Sequence, residues 1–358
     1  MIPTSSRAIE PGCRRRVRRL IPWGIVTRAR GPLLHGLRVL VSFGLIVGLL
    51  GLVAVAVVQV LGLRAWPYEL AHHFVAHAMI GAALIALGAA LLRRKGLLAV
   101  ALSLTLGFGM VYATAPQPAG MTNARSAQAA ADPPLTLITN NVYVNNGELD
   151  GLIAWLATRP ADVVVLQEVA PELISRLEHA EDGYPHRVVA TDPYVYDQGV
   201  TREAITVLSR WPIIESRRLN ERTFGWQAVL ARIQAGSGQT PWIIAVHPPS
   251  PVFAENLPVR DRILEELAEV VRTLDGPVII AGDFNTTPYA PVFREFVGSA
   301  GVATFGRFPS TFPSALGAVG LPIDHVMVRD AQLLQLQALT PTGSDHRPLA
   351  ATIRLATE

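Results

Sequence analysis

Six short stretches of this chain follow an apolar run with a residue able to hold a cation, move a proton or bind a phosphate oxygen. They are Ile138-Thr139-Asn140-Asn141-Val142, Leu166-Gln167-Glu168, Val246-His247, Gly282-Asp283-Phe284-Asn285, Ile323-Asp324-His325 and Ser344-Asp345-His346-Arg347-Pro348. Carboxylates, carboxamides and imidazoles placed this way converge on one edge of a core. There they could hold a divalent metal and a phosphate together, which points to a phosphoesterase.

Asn141, Glu168 and Asp345 are of the types that suit a hard cation. Magnesium (or manganese) takes oxygen ligands and keeps several waters, so one or two carboxylates and a carboxamide suffice, with substrate phosphate completing the shell. Glu168 ends the run Val-Val-Val-Leu-Gln-Glu, where an ionised side chain is costly unless paired or metal-bound. Taken alone it is as readily a surface carboxylate at a strand end.

Asp283 and Asn285 flank Phe284 after Pro277-Val-Ile-Ile-Ala-Gly. On extended backbone, residues two apart point to the same side, so a carboxylate and an amide donor would face one phosphate. The first can orient or deprotonate water; the second can donate to an oxygen whose charge grows in the transition state. Alone, Asp-x-Asn is as often a turn. Asp324 and His346 can form a carboxylate–imidazole dyad in which the acid fixes the ring tautomer. His247 is a second imidazole candidate that rests on its context, and His325, alternating away from Asp324, is structural.

These residues need strands to carry them. From Leu135 the pattern predicts strand, helix, strand and helix over 135–144, 148–158, 162–169 and 170–179. Further strands are predicted at 204–209, 228–234, 242–246, 277–281, 325–328 and 349–355, with a helix over 257–274. Mixed α and β with many strands predicts two packed sheets with outer helices.

The first third of the chain is different in kind. Residues 39–63, 70–92 and 96–115 are uncharged stretches of 25, 23 and 20 residues, and a bilayer core needs about 20 apolar residues. Three transmembrane helices are therefore expected within 37–115, after a basic tail (1–36, with 1–30 disordered) and before an Ala/Pro linker (116–134) and a catalytic domain (135–358). Nine arginines precede the first stretch and Arg93-Arg94-Lys95 separates the second from the third, whereas the loop after the first holds only Arg64 and Glu69. The positive-inside rule then places the N-terminus in the cytoplasm and residues 116–358 outside, in a multi-pass protein of the cell membrane. His72, His73 and His77 read as interfacial and helix-packing histidines. Cys13 is the single cysteine and falls in the basic tail, so the outer domain folds without disulfides.

The formal net charge of +3 hides +11 over residues 1–115 and −8 over 116–358. An acidic catalytic domain argues against a processive nuclease, because duplex binding draws on phosphate neutralisation.

Together, Leu166-Gln-Glu168, Leu208-Ser-Arg-Trp-Pro212, Val246-His247, Gly282-Asp-Phe-Asn285, Ile323-Asp324-His and Ser344-Asp-His346 resemble the endonuclease/exonuclease/phosphatase superfamily, in its order, over about residues 135–355. The resemblance implies a four-layered α/β sandwich, with Asn141, Glu168 and Asp345 at the metal site. It also implies Asp283 as the water-orienting aspartate, Asn285 as the phosphate-binding asparagine, Asp324 with His346 as the catalytic pair and His247 as the second histidine. Some DNA-repair members carry an aspartate two residues after the first asparagine, where this chain has Tyr143. Three spans followed by such a domain also resemble bacterial teicoplanin-resistance membrane proteins, which implies a lipid-linked phosphate or pyrophosphate of the cell envelope as substrate. Phe305-Gly-Arg-Phe308-Pro-Ser-Thr-Phe312-Pro is either an apolar lip near the bilayer or ordinary loop packing. Alternative readings are a tethered extracellular nuclease on the same fold and an inactive binding or sensing module. The sequence does not fix the oligomeric state.

Overall fold

The computed structural model describes residues 24–115, 133–159, 161–179, 183–191, 203–219 and 228–356. Most of the expected tail and linker lies outside them. Helix α1 (Gly24–Leu61) leads through the short α2 (Tyr68–Ala71) and a 3-10 turn (His72–Phe74) into α3 (Val75–Leu91), and then α4 (Lys95–Ala113). The backbone is already helical from Gly24, so the last residues of the stretch expected to be disordered are not; a long helix propagates at one bond per residue once nucleated.

Leu34–Leu61, Tyr68–Leu91 and Lys95–Ala113 are long and apolar enough to cross a membrane. Their large side chains point outward, as at Leu40, Leu50, Leu84 and Leu106, while Ala78, Ala82, Ala86 and Ala89 of α3 are buried inside the bundle. Small residues on an inner stripe let helices approach closely where water supplies no drive.

The rest of the chain forms two sheets with helices outside. Strands β1 (Leu135–Asn141), β2 (Val163–Val169), β3 (His186–Thr191) and β4 (Ala204–Ser209) alternate first with α5 (Leu149–Thr158) and α6 (Pro171–His179). Strands β5 (Ile213–Leu219), β6 (Ala228–Ile233) and β7 (Trp242–Val246), helix α7 (Asn256–Thr273), strand β8 (Val278–Asp283) and helix α8 (Pro291–Ala300) follow. A 3-10 segment (Ser314–Val319) precedes β9 (Asp324–Arg329), β10 (Ala331–Ala338) and β11 (Leu349–Leu355). One sheet runs β10-β11-β1-β2-β4-β3 and the other β5-β6-β7-β8-β9.

Strand alternation builds the layers. In β8, Ile279 and Ala281 pack between the sheets while Val278 and Ile280 face α7 and α8. In β2, Val163 and Val165 face inward and Val164 and Leu166 face α5 and α6. Both strands are apolar on both faces, as a buried parallel pairing requires, and β1–β2 and β7–β8 are the parallel pairs. The result is the expected four-layered α/β sandwich preceded by three apolar helices.

The helical bundle docks on this sandwich through the segment joining α1 to α3. Glu69 and Arg260 of α7 form an ion pair at 2.8 Å with side chains 1 % and 0 % exposed, and Arg260 also reaches Asp261 at 2.7 Å. Arg64 pairs with Glu295 at 2.7 Å, and Tyr112 of α4 stacks on Tyr289. Removing Glu69 would leave the fully buried Arg260 guanidinium with only the partly exposed Asp261 to offset its charge. Glu69→Ala should therefore destabilise the full-length protein by about 3–5 kcal/mol. Thermal unfolding in detergent checks this: Glu69→Ala should unfold early, and adding Arg260→Met should recover much of the loss. A wild-type midpoint for Glu69→Ala would mean that the pair holds nothing in place.

Candidate active site

Asn141 ends β1 directly beside Gln167 of β2. One residue later the β2–β4 register slips between Leu166 and Val169, and Glu168 sits at φ 55°. This bulge turns Glu168 toward the strand edge, the usual service of a bulge near a site. There Asn141 Nδ2 donates to Glu168 Oε1 at 2.8 Å and the Val144 N–H donates to Oε2 at 3.2 Å.

In the second sheet Val246 lies beside Gly282, and Asp283 lies opposite Asp324. Gly282 has φ 151°, and a Cβ there would stand 2.0 Å from the Val246 carbonyl oxygen, so the motif requires glycine. Asn141 Nδ2 reaches Asp283 Oδ2 at 3.2 Å and thereby joins the two sheets at the site.

The imidazoles close around Asp283. His346 Nδ1 is hydrogen-bonded to Asp324 Oδ2 at 2.8 Å, and its Nε2 faces Asp283 Oδ2 at 3.7 Å. His247 Nε2 lies 3.7 Å from both Glu168 Oε1 and Asp283 Oδ2. Burial, reinforced by Asp324, pushes the Asp283 carboxyl up to about 6 against the pull of both histidines. Burial works to deprotonate His346, but Asp324 and Asp283 outweigh it and raise its pKa. Burial also raises Asp345, with Glu168 and Asp324 adding repulsion and His346 opposing it.

Asn285 adopts φ 49°, its N–H donates to Asp283 Oδ1 at 2.8 Å, and its Nδ2 donates to the Pro248 carbonyl at 2.9 Å. Phe284 between them is buried in the core against Phe293, Phe296 and His325. His325 is structural as expected: Nε2 donates to the Thr286 carbonyl at 2.9 Å, and burial lowers its pKa to about 4. All eight residues singled out in the sequence, Asn141, Glu168, His247, Asp283, Asn285, Asp324, Asp345 and His346, thus gather at one edge.

Sequence reasoning missed several supports. Buried Asn146 donates to the carbonyls of Val142 and Thr342 and so ties the loop after β1 to the one carrying Ser344. Ser344 Oγ donates to the Asn141 carbonyl at 2.7 Å and accepts the His346 N–H at 2.9 Å. Of the three histidines read as interfacial and helix-packing, His72 packs within the bundle, through Gln59 and the Leu63 carbonyl. His73 Nδ1 accepts the Thr287 N–H at 3.3 Å, and His77 Nε2 donates to the Val319 carbonyl at 2.7 Å, so both bind the sandwich. Their polar partners lie more than 200 residues away in sequence, beyond any periodicity. The phenylalanine-rich segment packs inward as a loop: Phe308 meets Phe293 and His325, and Phe312 meets His346.

Two donor sets could take a cation. Glu168 and Asp345 are hard oxygen donors, and the repulsion between them is what a cation would relieve; the Asn141 carboxamide oxygen accepts the Tyr143 N–H at 3.1 Å and would join them only after the amide turns over. Asp283, Asp324 and His346 also offer ligand atoms within 4.8 Å of one another. His346 Nδ1 is already committed to Asp324, so a cation there would bind through Nε2 or break the dyad.

Comparisons with known proteins agree with this geometry. The sequence matches the profile of the Endonuclease/Exonuclease/phosphatase family over residues 139–346, more than half of the chain. A UPF0294 protein of Vibrio cholerae serotype O1 is 31% identical over 130 residues, 36% of this chain and 45% of that protein. The chain thus spans less than half the length of that curated relative. Among solved structures, an endonuclease/exonuclease/phosphatase from Beutenbergia cavernae superposes with TM-score 0.51 at 18% identity, covering 63% of this chain and 72% of that one. A mannosyl-6-phosphatase of Bacteroides thetaiotaomicron superposes with TM-score 0.51 at 16% identity, covering 61% and 99%. At such identities these two structures establish the fold. With the family profile spanning every motif from Thr139 to His346, the chain belongs to the Endonuclease/Exonuclease/phosphatase family.

Proposed function

We propose that this protein is a membrane-anchored, divalent-metal-dependent phosphoesterase whose active site faces away from the cytoplasm and hydrolyses a lipid-linked phosphate or pyrophosphate of the cell envelope. The observation that carries the hydrolase reading is the buried Asp324–His346 hydrogen bond of 2.8 Å aimed past Nε2 at Asp283. A non-catalytic binding module has no use for a buried imidazole held between two buried carboxylates, an arrangement costly to maintain.

Asp283 is placed to orient a water and accept its proton, and its raised pKa suits a base working near neutrality. Asn285 Nδ2 spends one N–H on Pro248 and has a second for a non-bridging phosphate oxygen. His346, oriented by Asp324, and His247 present two further donors where negative charge would build. Glu168, Asp345 and Asn141 are the residues proposed to hold magnesium or manganese, which when bound polarises the phosphoryl group. The set Asp283, Asp324 and His346 is the weaker metal candidate because it would cost the dyad its hydrogen bond.

The lipid-linked reading draws on the anchor. The turn Arg93–Lys95 lies at the end of α3 away from the sandwich, and the segment on the sandwich side has both its charges, Arg64 and Glu69, tied up in ion pairs. Basic residues at the far end favour a cytoplasmic turn and an outer catalytic domain. A neighbouring fold that acts as a mannosyl-6-phosphatase is in keeping with a phosphoester substrate. The net charge of −8 over residues 116–358 counts against a nuclease.

The test is phosphate release from a polyprenyl pyrophosphate beside nicking of plasmid DNA, with full-length protein and magnesium. Release should occur, and Asp283→Ala and His346→Ala should each lower it by roughly 10²–10⁴-fold while the protein stays folded. Near-wild-type turnover in either variant sinks the assignment, and nicking without release makes the protein a tethered nuclease. Glu168→Ala should raise the magnesium concentration needed for half-maximal rate by about 10–100-fold, and an unchanged titration removes it from the metal shell. A phosphatase reporter fused after Glu358 should be active outside the cytoplasm; activity of a cytoplasmic reporter alone would invert the orientation.

A further inference from the structure

We propose that two uncharged loops, residues 248–254 and 309–323, rest in the boundary layer of the bilayer and form a doorway. Through it an amphiphilic phosphate ester slides from the membrane plane into the site, head group first. The inference rests on the spanning of α3 and on the phosphoesterase reading, and adds to them the route and the residues that line it.

Each loop has its base at the site. Residues 248–254 follow His247, and the Pro248 carbonyl accepts from Asn285 Nδ2 at 2.9 Å. In the second loop Ser314 Oγ donates to the Ser344 carbonyl at 3.0 Å, and the Phe312 ring lies 4.8 Å from that of His346. The tips turn to the helical bundle instead. Trp66 Nε1 donates to the Val252 carbonyl at 3.1 Å, and His77 Nε2 donates to the Val319 carbonyl at 2.7 Å.

The length of α3 sets the depth of those tips. With the short helical segments before it, the candidate span Tyr68–Leu91 has 24 residues, roughly 36 Å and a little more than the ~30 Å of a hydrocarbon core, so its first residues stand at the boundary. His77, about one turn further in, lies just inside that boundary and holds Val319 there. Trp66, half exposed, is the kind of side chain that settles at head-group level, and it holds Val252.

Composition agrees. The stretches 248–254 and 309–323 hold no Asp, Glu, Lys or Arg; the nearest charges in the same connections, Glu255 and Arg307, lie just outside them. Among the described residues the sandwich exposes five large apolar side chains, and four of them, Val252 (57%), Phe253 (61%), Leu316 (56%) and Val319 (57%), are on these two loops. A single exposed apolar residue is unremarkable on a soluble face, but four on two loops that abut apolar helices mark a surface for lipid. The occupant that fits is the hydrocarbon part of a membrane lipid, with its phosphate at Asn285 and His346.

The test uses full-length protein in liposomes, with Cys13→Ser as background. An environment-sensitive fluorophore is placed on Phe253→Cys or Leu316→Cys, and on Ile214→Cys, an exposed position on β5, as control. Lipids brominated on the acyl chain should quench the first two at least about twofold more than the third. Equal quenching at all three overturns the proposal. In the same liposomes, Phe253→Asp with Leu316→Asp should lower kcat/KM for a bilayer-embedded phosphate ester at least about tenfold, through KM rather than kcat. An unchanged kcat/KM overturns the doorway. If wild-type protein releases no phosphate from any ester, the phosphoesterase reading fails, and quenching alone then decides whether the loops lie in lipid.

Discussion

The constraint on which the site depends is the company Asp283 keeps. It sits opposite Asp324 on adjacent strands, and both carboxylates are buried. Two such groups away from water oppose each other's ionisation. His346 resolves this by standing between them, with Nδ1 on Asp324 at 2.8 Å and Nε2 at 3.7 Å from Asp283. One ring serves two carboxylates, which raise its pKa against the opposing effect of burial. The balance holds only while the Asp324–His346 hydrogen bond is kept, because an unpaired polar group in that low-dielectric setting is costly.

Rigidity of that kind comes from the sheets. Asp283 and Asp324 are fixed by β8–β9 pairing, and Phe284 between Asp283 and Asn285 is sunk in an aromatic cluster. The close contact at Gly282 lets β7 and β8 run together to their ends, so that His247 and Asp283 share one edge. The bulge in β2 and the left-handed backbone at Glu168 and Asn285 are locally unfavourable, and they survive because hydrogen bonds from Asn141 and Val144 to Glu168 and from the Asn285 N–H to Asp283 determine them. Strain is thus concentrated where side chains must leave their natural strand directions to meet.

The same physics explains what the sequence made legible. Central strands such as Ala204–Ser209, Trp242–Val246 and Leu349–Leu355 are read to the residue because both faces, or one clean face, are buried. The strands not foreseen, Ile213–Leu219, His186–Thr191 and Ala331–Ala338, lie at sheet edges, where exposed polar side chains erase the pattern; in Ile213–Leu219 five consecutive positions are exposed. Helix Pro291–Ala300 did carry a signal, Pro at its first position and Val292, Phe293, Phe296 and Ala300 on one face, and was passed over. Motif residues were legible because catalysis needs unusual types at strand ends. Asn146 and Ser344 were not, because a buried amide or hydroxyl that ties two loops together looks like any turn residue until its partners are known.

Least legible was the relation between anchor and enzyme. A run of apolar residues says that a helix can lie in a bilayer, and nothing about what its ends touch. Here the end of the second apolar helix supplies Glu69 to Arg260 and His73 to Thr287, two residues beyond Asn285. On its other side the same stretch is held by His325 at Thr286. The loop that carries Asn285 is therefore clasped between the sandwich core and the bundle. Detaching the bundle would exchange the Glu69–Arg260 ion pair and the Thr287–His73 hydrogen bond for contacts with water. A flexible tether would only raise local concentration. A docked bundle also fixes the height and tilt of the active site, so reach is restricted to whatever lies beside the apolar helices. That restriction is in keeping with the substrate proposed above, one residing at the membrane surface.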